Sequence, residues 1–377
     1  MFLAVKEMAR AKVRFALLIV AIALLFFLIL FQQSLQNGLI TSFIGAIRNQ
    51  NAPVLVYSID GQRVLQGSII TPDAEALVRS AAGVGQVGRI GQGTFTGRPD
   101  GGNETFDTTM IGYELGPDGQ GLGAPSTLVA GRYPTADGEA VASDADEGNG
   151  YGVGEVVTIE PGGVQITIVG LAEDIQLNVG PTLFTSYKTY VGAVQSVNPD
   201  AGVPLPNALA AAPADGVGDD ELVAGINAQS VELDALTSEQ AASETPGVSQ
   251  VQQSFTIIFL LYGLVVPCVT GLFFLIVTFQ KADSLTLLRA IGAPAGRLVS
   301  SLLIQVLIIV VTGLVLGTLL YYPVSQQTLG GLPLRFETEA VVFWTVLLVV
   351  LAVASALLSA RRVLQIDPMT ATTGGGG

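Results

Sequence analysis

The stretch FALLIVAIALLFFLILF, at residues 15–31, is apolar at every position. Crossing the hydrocarbon core of a bilayer takes about 20 mostly apolar residues in a helix, because every backbone amide and carbonyl must be paired within the segment. Three further stretches meet this requirement, at residues 255–279, 298–322 and 340–360. A cleaved signal peptide has a shorter apolar core followed by a small-residue cleavage site, which residues 15–31 lack. The sequence therefore predicts four transmembrane helices.

The overall composition agrees with a membrane protein. Half of the 377 residues are hydrophobic and only 13% are charged, which is too apolar for an ordinary soluble chain. The formal net charge is nevertheless −14, and most acidic residues lie between the first and second helices. Such an acidic domain argues against nucleic acid partners. A single cysteine, Cys268, excludes an intramolecular disulfide, and the absence of histidine removes the commonest metal ligand.

Basic residues at the helix ends predict the orientation, because cytoplasmic loops carry an excess of lysine and arginine. They lie before the first helix, between the second and third, and after the fourth: Lys6, Arg10, Lys12, Arg14, Lys281, Arg289, Arg297, Arg361 and Arg362. We therefore expect both termini in the cytoplasm and a large extracellular domain after the first helix.

The predicted fold class is an α-helical membrane protein with four transmembrane helices and a mixed α+β extracellular domain between helices one and two. The predicted parts are the N-terminus, first helix and outer stalk (1–50), the extracellular domain (51–235), the re-entry stalk and second helix (236–280), a cytoplasmic coupling helix (281–297), the third helix (298–322), an outer loop (323–339), the fourth helix (340–362) and a cytoplasmic tail (363–377).

Several local patterns refine this outline. Apolar residues continue at helical spacing to residue 47, which predicts a helical stalk beyond the membrane. Residues 155–169 read as a hairpin, and Thr71 followed by Pro72 predicts a helix start. Thr237 and Gln240 fit a capping box before a break at residues 246–247. Residues 199–220 are rich in Ala, Pro, Gly and Asp and are interpreted as a loop.

The connection between the second and third helices reads QKADSLTLLRAIGAPAGR, at residues 280–297. Asp283 or Ser284 can cap a short helix, and Gly292 with Pro294 can end it. Its apolar residues invite a protein partner, and lying in the lipid interface is the alternative. The residues assigned to this partner contact are Leu285, Leu288, Arg289, Ile291 and Gly292.

This segment resembles the coupling helix of FtsX/MacB-type ABC transporter permeases, through LTLLRAIGAPAGRLVSSLLIQ at residues 285–305. The ending ARRVLQIDPMTA, at residues 360–371, is also similar to that family. The resemblance implies a homodimer in contact with membrane lipid and with a dimer of a cytoplasmic ABC ATPase subunit, which binds the ATP. The chain has no GxxxxGK[ST] phosphate loop, so it is expected to be a non-catalytic subunit. Gly313 and Gly317 form a GxxxG that either permits close helix contact or arises by chance.

A narrower resemblance is to the haem-exporter permeases of Gram-positive bacteria, the HrtB-like branch. It rests on residues 1–20, 34–58 and 236–255. The resemblance implies haem as a substrate, taken laterally from the membrane, with no permanently bound cofactor. Without histidine, iron ligation falls to other donors. The candidate haem residues are Glu239 as preferred ligand, Glu244 and Tyr262 as further donors, Arg48 for a propionate and Phe43 for ring stacking.

Other functions fit the same pattern. A permease of this architecture could expel peptides, antibiotics or lipids, or could transmit force to an extracellular enzyme without transport. A membrane-anchored sensor or binding protein is the alternative from a different class, and it leaves the coupling segment and three helices unexplained.

Overall fold

The computed structural model describes residues 12–280, 294–329 and 332–364. Within them the longer helices are α1 (Lys12–Arg48), α2 (Pro72–Ser80), α3 (Tyr187–Val197), α4 (Asp219–Asn227), α5 (Ser238–Ser243), α6 (Val248–Gln280), α7 (Ala295–Tyr321) and α8 (Thr338–Leu364). The strands are β1 (Val54–Ser58), β2 (Val84–Pro99), β3 (Phe106–Tyr113), β4 (Leu128–Gly131), β5 (Glu139–Ser143), β6 (Val156–Glu160), β7 (Val164–Ala172), β8 (Thr182–Ser186), β9 (Ala208–Pro213), β10 (Leu233–Thr237), β11 (Thr328–Leu329) and β12 (Leu332–Pro333).

The chain divides into two compact units. A helical unit takes the described residues up to Gln36, Gln253–Gln327 and those from Leu334 onward, and a sheet unit takes Asn37–Gln252 with Thr328–Pro333. The helices α1, α6, α7 and α8 are long and apolar enough to cross a membrane. The four predicted transmembrane helices and the mixed domain between the first two are therefore confirmed.

The helical unit is held by apolar side chains and by one close helix contact. Phe26, Ile309 and Leu348 are buried members of its core. Gly317 of α7 faces α1, where an added Cβ would lie 2.7 Å from the Ala23 carbonyl oxygen. The GxxxG of α7 is thus a packing surface for α1 of the same chain, which decides between the two readings of that motif.

The sheet unit is built on a ten-stranded mixed sheet. Its order is β10-β1-β9-β2-β3-β8-β5-β7-β4, with β6 pairing both β2 and β7. The β3–β8 and β5–β7 pairs are parallel, and the others are antiparallel. The predicted hairpin is confirmed as β6 and β7, which pair Val157 with Ile166 and Ile159 with Val164.

The helix boundaries follow the predicted capping residues. The Thr71 side chain accepts a hydrogen bond from the Ala74 amide at the start of α2. Thr237 and Gln240 form the complete capping box of α5. The helical conformation is interrupted at Gly247, whose φ of 93° is in the left-handed region, so α5 and α6 are separate helices. Helix α1 runs without interruption to Arg48, as the helical spacing predicts.

The interpretation of residues 199–220 as a loop is wrong. Strand β9 lies inside the sheet between β1 and β2, and α4 begins at Asp219. The buried side chains of β9 alternate between two cores, with Ala208 and Ala210 in one and Leu209 and Ala211 in the other. Alanine has a low strand propensity, but small side chains suit a strand that is covered on both faces, so tertiary burial overrides propensity here.

Candidate functional site

The end of α1 is held by the segment that follows β7. The Ala46 amide donates to the Gln176 carbonyl at 3.0 Å, and Asn49 Nδ2 donates to the Asp174 carbonyl at 2.6 Å. A Cβ at Gly45 would overlap the Asp174 carbonyl oxygen. Glycine therefore permits the close approach that these hydrogen bonds require.

A buried polar chain lies beside these contacts. Ser42 Oγ donates to Gln176 Oε1 at 2.8 Å, and Gln176 Nε2 donates to the Asp146 carboxylate at 3.1 Å. All three residues are buried. Burial is the main cause that raises the pKa of Asp146 to about 6, and the nearby charge of Asp144 raises it further. The hydrogen bond from Gln176 opposes this shift because it stabilises the charged carboxylate.

A cavity of about 280 Å³ opens in the sheet unit beside the end of α1. This volume is close to the lower end of the range of about 300–1,000 Å³ found for small-molecule sites. Its buried apolar wall comes from α1, from the turn after β1, from the segment after β7 and from the start of α6: Ile40, Ile44, Ile47, Leu65, Leu177 and Val248. Its polar lining residues are Arg63, Gln66, Gln92, Asn178 and Thr245.

Arg63 is the cation among these lining residues. Its Nε donates to Asp234 Oδ2 at 2.8 Å, and its Nη1 contacts the Glu244 carboxylate. The hydrogen bond with Asp234 is the largest cause of a raised Arg63 pKa. Arg63 and the preceding Gln62 both have positive φ, of 63° and 49°, a conformation that is uncommon outside glycine. One guanidinium facing two carboxylates leaves this group with one excess negative charge.

Gln92 is the polar lining residue that is buried, with 4% of its surface exposed. Its backbone amide donates to Asn207 Oδ1 at 2.7 Å, and its carbonyl accepts from Tyr190 Oη at 3.2 Å. Its side-chain nitrogen and oxygen both lack a hydrogen-bond partner among the described residues. A buried polar group left unpaired costs about 1–3 kcal/mol. Gln92 thus carries a polar group that nothing in the described protein satisfies.

The predicted haem residues are not all brought together. Phe43 lines the cavity, and Glu244 is bound to the lining residue Arg63. Glu239 and Arg48 are exposed and are not lining residues. Tyr262 belongs to the helical unit, where its ring centroid lies 6.5 Å from that of Phe259. Among the described residues there is no cluster of three acidic, cysteine or histidine side chains that could hold a metal ion.

The five residues assigned to contact with an ATPase lie in residues 281–293, outside the described part of the chain. Their assignment stays a prediction.

Two residues that line the cavity, Arg63 and Gln92, are not predicted from the sequence. The alternation of β2 does offer a signal for Gln92, because it shares a strand face with Ile90, a residue of the buried core.

The sequence is similar to one protein-family model and to curated relatives. Residues 255–368 match the family model "FtsX-like permease C-terminal". The chain is 21% identical over 375 residues to a protein of Staphylococcus haemolyticus named "Putative hemin transport system permease protein HrtB", covering 99% of each chain. A protein of the same name from Staphylococcus epidermidis is 22% identical over 143 residues, covering 38% of this chain and 41% of the relative.

Two solved structures are similar to part of the chain. The periplasmic region of MacB from Actinobacillus actinomycetemcomitans matches with a TM-score of 0.37 and 15% identity, covering 53% of this chain and 97% of that one. The extracellular domain of the noncanonic ABC-type transporter YknZ from Gram-positive bacteria matches with a TM-score of 0.32 and 13% identity, covering 49% and 100%. Residues 255–368 thus match an FtsX-like permease C-terminal domain, and over its full length the chain is similar to a relative named as a permease protein.

Proposed function

We propose that this chain is the membrane subunit of an ATP-driven efflux system and that its cargo is haem. The observation that carries the proposal is the full-length similarity to a protein named as a hemin transport permease, which extends over 99% of both chains. The similarity covers the sheet unit as well as the membrane helices. Haem is flat and largely apolar, and a permease that meets it in the membrane would not need a deep water-filled channel.

Energy would come from a separate cytoplasmic ATPase dimer, because the sequence has no phosphate-loop motif with which to bind ATP. We place the contact with the ATPase at Leu285, Leu288, Arg289, Ile291 and Gly292. The uninterrupted helix α1 supports a mechanical route to the outside, since one helix contributes to the helical unit and to the sheet unit. Two copies of this chain would complete the transporter.

Glu239 is the residue that we propose as iron ligand. Glu244 already contacts the guanidinium of Arg63, whereas Glu239 is exposed in the first turn of α5. The chain contains no histidine, so a carboxylate is a reasonable alternative donor. Weak ligation by an exposed carboxylate would also suit a carrier that must release its cargo.

The orientation is part of the same proposal, with the termini inside and the sheet unit outside. Cysteines introduced at positions 150 and 290, each in a Cys268→Ser background, would be treated in intact cells with a membrane-impermeant thiol reagent. The cysteine at 150 should be labelled and the one at 290 should not. Labelling at 290 alone would reverse the topology.

The decisive experiment measures ATP hydrolysis by the complex of this chain with its ATPase in lipid nanodiscs. Haem should stimulate hydrolysis in a saturable way, and co-expression of both subunits should raise the haem concentration that cells tolerate. A cysteine-free peptide and an uncharged lipid serve as alternative cargos. If neither stimulation nor resistance appears with haem in an assembled, ATP-hydrolysing complex, haem is not the cargo.

A further inference from the structure

Helix α6 contains a proline in its interior, at Pro267. Proline has no amide hydrogen, so Pro267 cannot donate to the carbonyl of Gly263 one turn earlier. We propose that Pro267 is a hinge at which the N-terminal half of α6 bends against α1, α7 and α8. The hinge itself is independent of the cargo, whereas its use in opening a path for cargo rests on the proposed function.

The backbone on the N-terminal side of Pro267 lacks one helical hydrogen bond. Sharp bends in helices occur mainly at such positions, because the ladder of hydrogen bonds is interrupted there. Among the described residues nothing lies within 4 Å of a Cβ built at Gly263, so no neighbouring helix packs against this turn at that position. The turn from Gly263 to Pro267 can therefore change its angle without a clash at Gly263.

The C-terminal side of the hinge is fixed to α8. Ser355 Oγ donates to the Pro267 carbonyl at 3.3 Å, and a Cβ at Gly271 would overlap Ser355 Oγ. Val266, next to the proline, is 6% exposed and belongs to the core of the helical unit. These contacts hold α6 between Val266 and Gly271, so a bend at this point moves the residues that precede it.

The residues before the hinge make shallow contacts within the chain. Of residues 253–265, all of which the structure describes, none is buried, and Leu260 and Leu264 are 69% and 59% exposed. Phe259 packs on Trp344 of α8 with ring centroids 5.4 Å apart. Trp344 Nε1 has no hydrogen-bond partner among the described residues, so this contact is one between apolar surfaces that can slide. A bend at Pro267 therefore breaks few contacts within the chain.

The helices against which α6 bends are tied to one another. The Arg335 amide, in the segment before α8, donates to Ser34 Oγ of α1 at 3.1 Å, and Tyr321 Oη of α7 donates to the Arg335 carbonyl at 2.7 Å. Ser34 and Tyr321 are 1% and 2% exposed. This segment thus joins α1 to α7, in addition to their close contact at Gly317. Hinge motions of this kind concentrate the change in a few residues and leave the neighbouring body rigid.

The test measures distances by pulsed electron paramagnetic resonance in the full-length protein in lipid nanodiscs. Spin labels are attached to cysteines at exposed positions, in a Cys268→Ser background and diluted with unlabelled chain. The first pair, at Leu260 and Leu319, joins the N-terminal half of α6 to α7, and the second, at Leu272 and Val311, joins its C-terminal half to α7. The first pair should give a broad or multiple distribution of distances, and the second a narrow one.

Pro267→Ala restores the missing amide hydrogen, so the distribution of the first pair should become as narrow as that of the second, which should not change. Gly263→Ala is the matched control. It raises the helix propensity of the same turn without restoring the hydrogen bond, so the first pair should stay broad. A first pair that is already as narrow as the second, or that stays broad in Pro267→Ala, would overturn the hinge.

These distances need neither haem nor the ATPase, so a failure of haem as cargo would leave them unchanged. In the assembled transporter, Pro267→Ala should lower export of haem while co-purification of the ATPase stays normal. Normal export by a variant whose first pair has narrowed would overturn the use of the hinge in transport.

Discussion

Ser42 of α1 and Gln176 of the segment after β7 are joined by a buried hydrogen bond of 2.8 Å from Ser42 Oγ to Gln176 Oε1. With its oxygen turned to Ser42, the amide of Gln176 presents its nitrogen to Asp146. One side chain thus satisfies a hydroxyl of the long helix and a carboxylate of the sheet unit. In a buried chain of this kind each member depends on the others, since a lost partner leaves a polar group unpaired.

The first prediction concerns Gln176→Leu. This change leaves the Asp146 carboxylate without its amide donor and Ser42 without its acceptor, so the sheet unit should lose about 1–3 kcal/mol of stability. The measurement is thermal unfolding of the full-length protein in detergent, followed by far-ultraviolet circular dichroism. The double variant Gln176→Leu with Asp146→Leu should recover part of the loss, because replacing both partners by apolar groups removes the unpaired charge. A double variant that loses the sum of the two single changes would contradict this explanation.

The second prediction is a pH dependence that comes from Asp146. Its pKa rises from an ordinary 3.8 to about 6 in the folded protein, so between these values the folded state binds more protons than the unfolded state. Stability should therefore fall as pH rises from 4 to 6, by at most about 1.4 kcal/mol per pH unit, and should level off above that window. Thermal midpoints at a series of pH values measure the effect.

Asp146→Asn is the matched control for this pH dependence, because the amide cannot titrate. Other carboxylates act in the opposite direction: hydrogen bonding from Arg132 is the main cause that lowers the pKa of Glu139 to about 2, so its contribution is lost as pH falls toward that value. The difference between the parent protein and Asp146→Asn isolates the Asp146 contribution. A pH profile unchanged by Asp146→Asn would show that another group is responsible.

The third prediction concerns Gly317 of α7. A Cβ there would meet the backbone carbonyl of Ala23 at 2.7 Å and the Phe26 ring at 3.0 Å, and a helix backbone cannot move aside as a flexible side chain can. Gly317→Val should therefore separate α7 from α1 and lower both the yield and the thermal midpoint of the detergent-solubilised protein. Gly263→Val is the control, because nothing lies within 4 Å of a Cβ at that helical position. Equal effects of the two changes would mean that helix propensity, and not packing, decides.

Much of the fold follows from the sequence because its signals are local. Apolar length predicts the four membrane helices, and helical spacing predicts that α1 continues to residue 47. The caps at Thr71 and Thr237 involve residues three positions apart, so they are readable without the structure. Strand β9 could not be predicted from local sequence. Its alanines form a central strand only because β1 and β2 pair with its two edges.

The site was harder to predict than the fold because its contacts join distant parts of the chain. Arg63 meets Asp234 and Glu244 across more than 170 positions, and no spacing rule connects them. Phe43 was predicted from the apolar face of the stalk and does line the cavity. Arg48, five residues further on, does not line the cavity, since helical periodicity shows which residues share a face but not what covers it.

The fourth prediction tests the proposed ATPase contact at Leu288. Replacing Leu288 by aspartate puts a charge on the apolar face of the predicted coupling helix, so co-purification of the ATPase and export should both fall sharply. Thr286→Asp adds the same charge at a position off that face and should have a smaller effect. Affinity purification of the complex measures assembly. A Leu288→Asp complex that assembles and exports normally would remove this residue from the interface.

The last prediction is that Glu239 ligates the iron of haem. Histidine is absent from the chain, and Glu244 is engaged by Arg63, which leaves Glu239 as the exposed carboxylate of this segment that Arg63 does not contact. A carboxylate in water stays hydrated until haem arrives, whereas a charge at the centre of a bilayer costs about 2.5–3.5 kcal/mol or more. The Thr237 cap fixes the first turn of α5, so the position of Glu239 is defined before haem binds.

Glu239→Ala should lower haem-stimulated ATP hydrolysis and alter the absorption spectrum of bound haem, while expression and basal hydrolysis stay close to normal. Glu221→Ala is the matched control, since Glu221 is also an exposed acidic residue in the first turn of a helix, α4. A change in the spectrum supports ligation, because the identity of the axial ligand is one of the main factors that set the electronic environment of haem iron. If Glu239→Ala leaves the spectrum and the haem resistance of cells unchanged, the ligand must be sought elsewhere. Glu244, released from Arg63 when haem approaches, and Tyr262 in α6 would then be the donors to test.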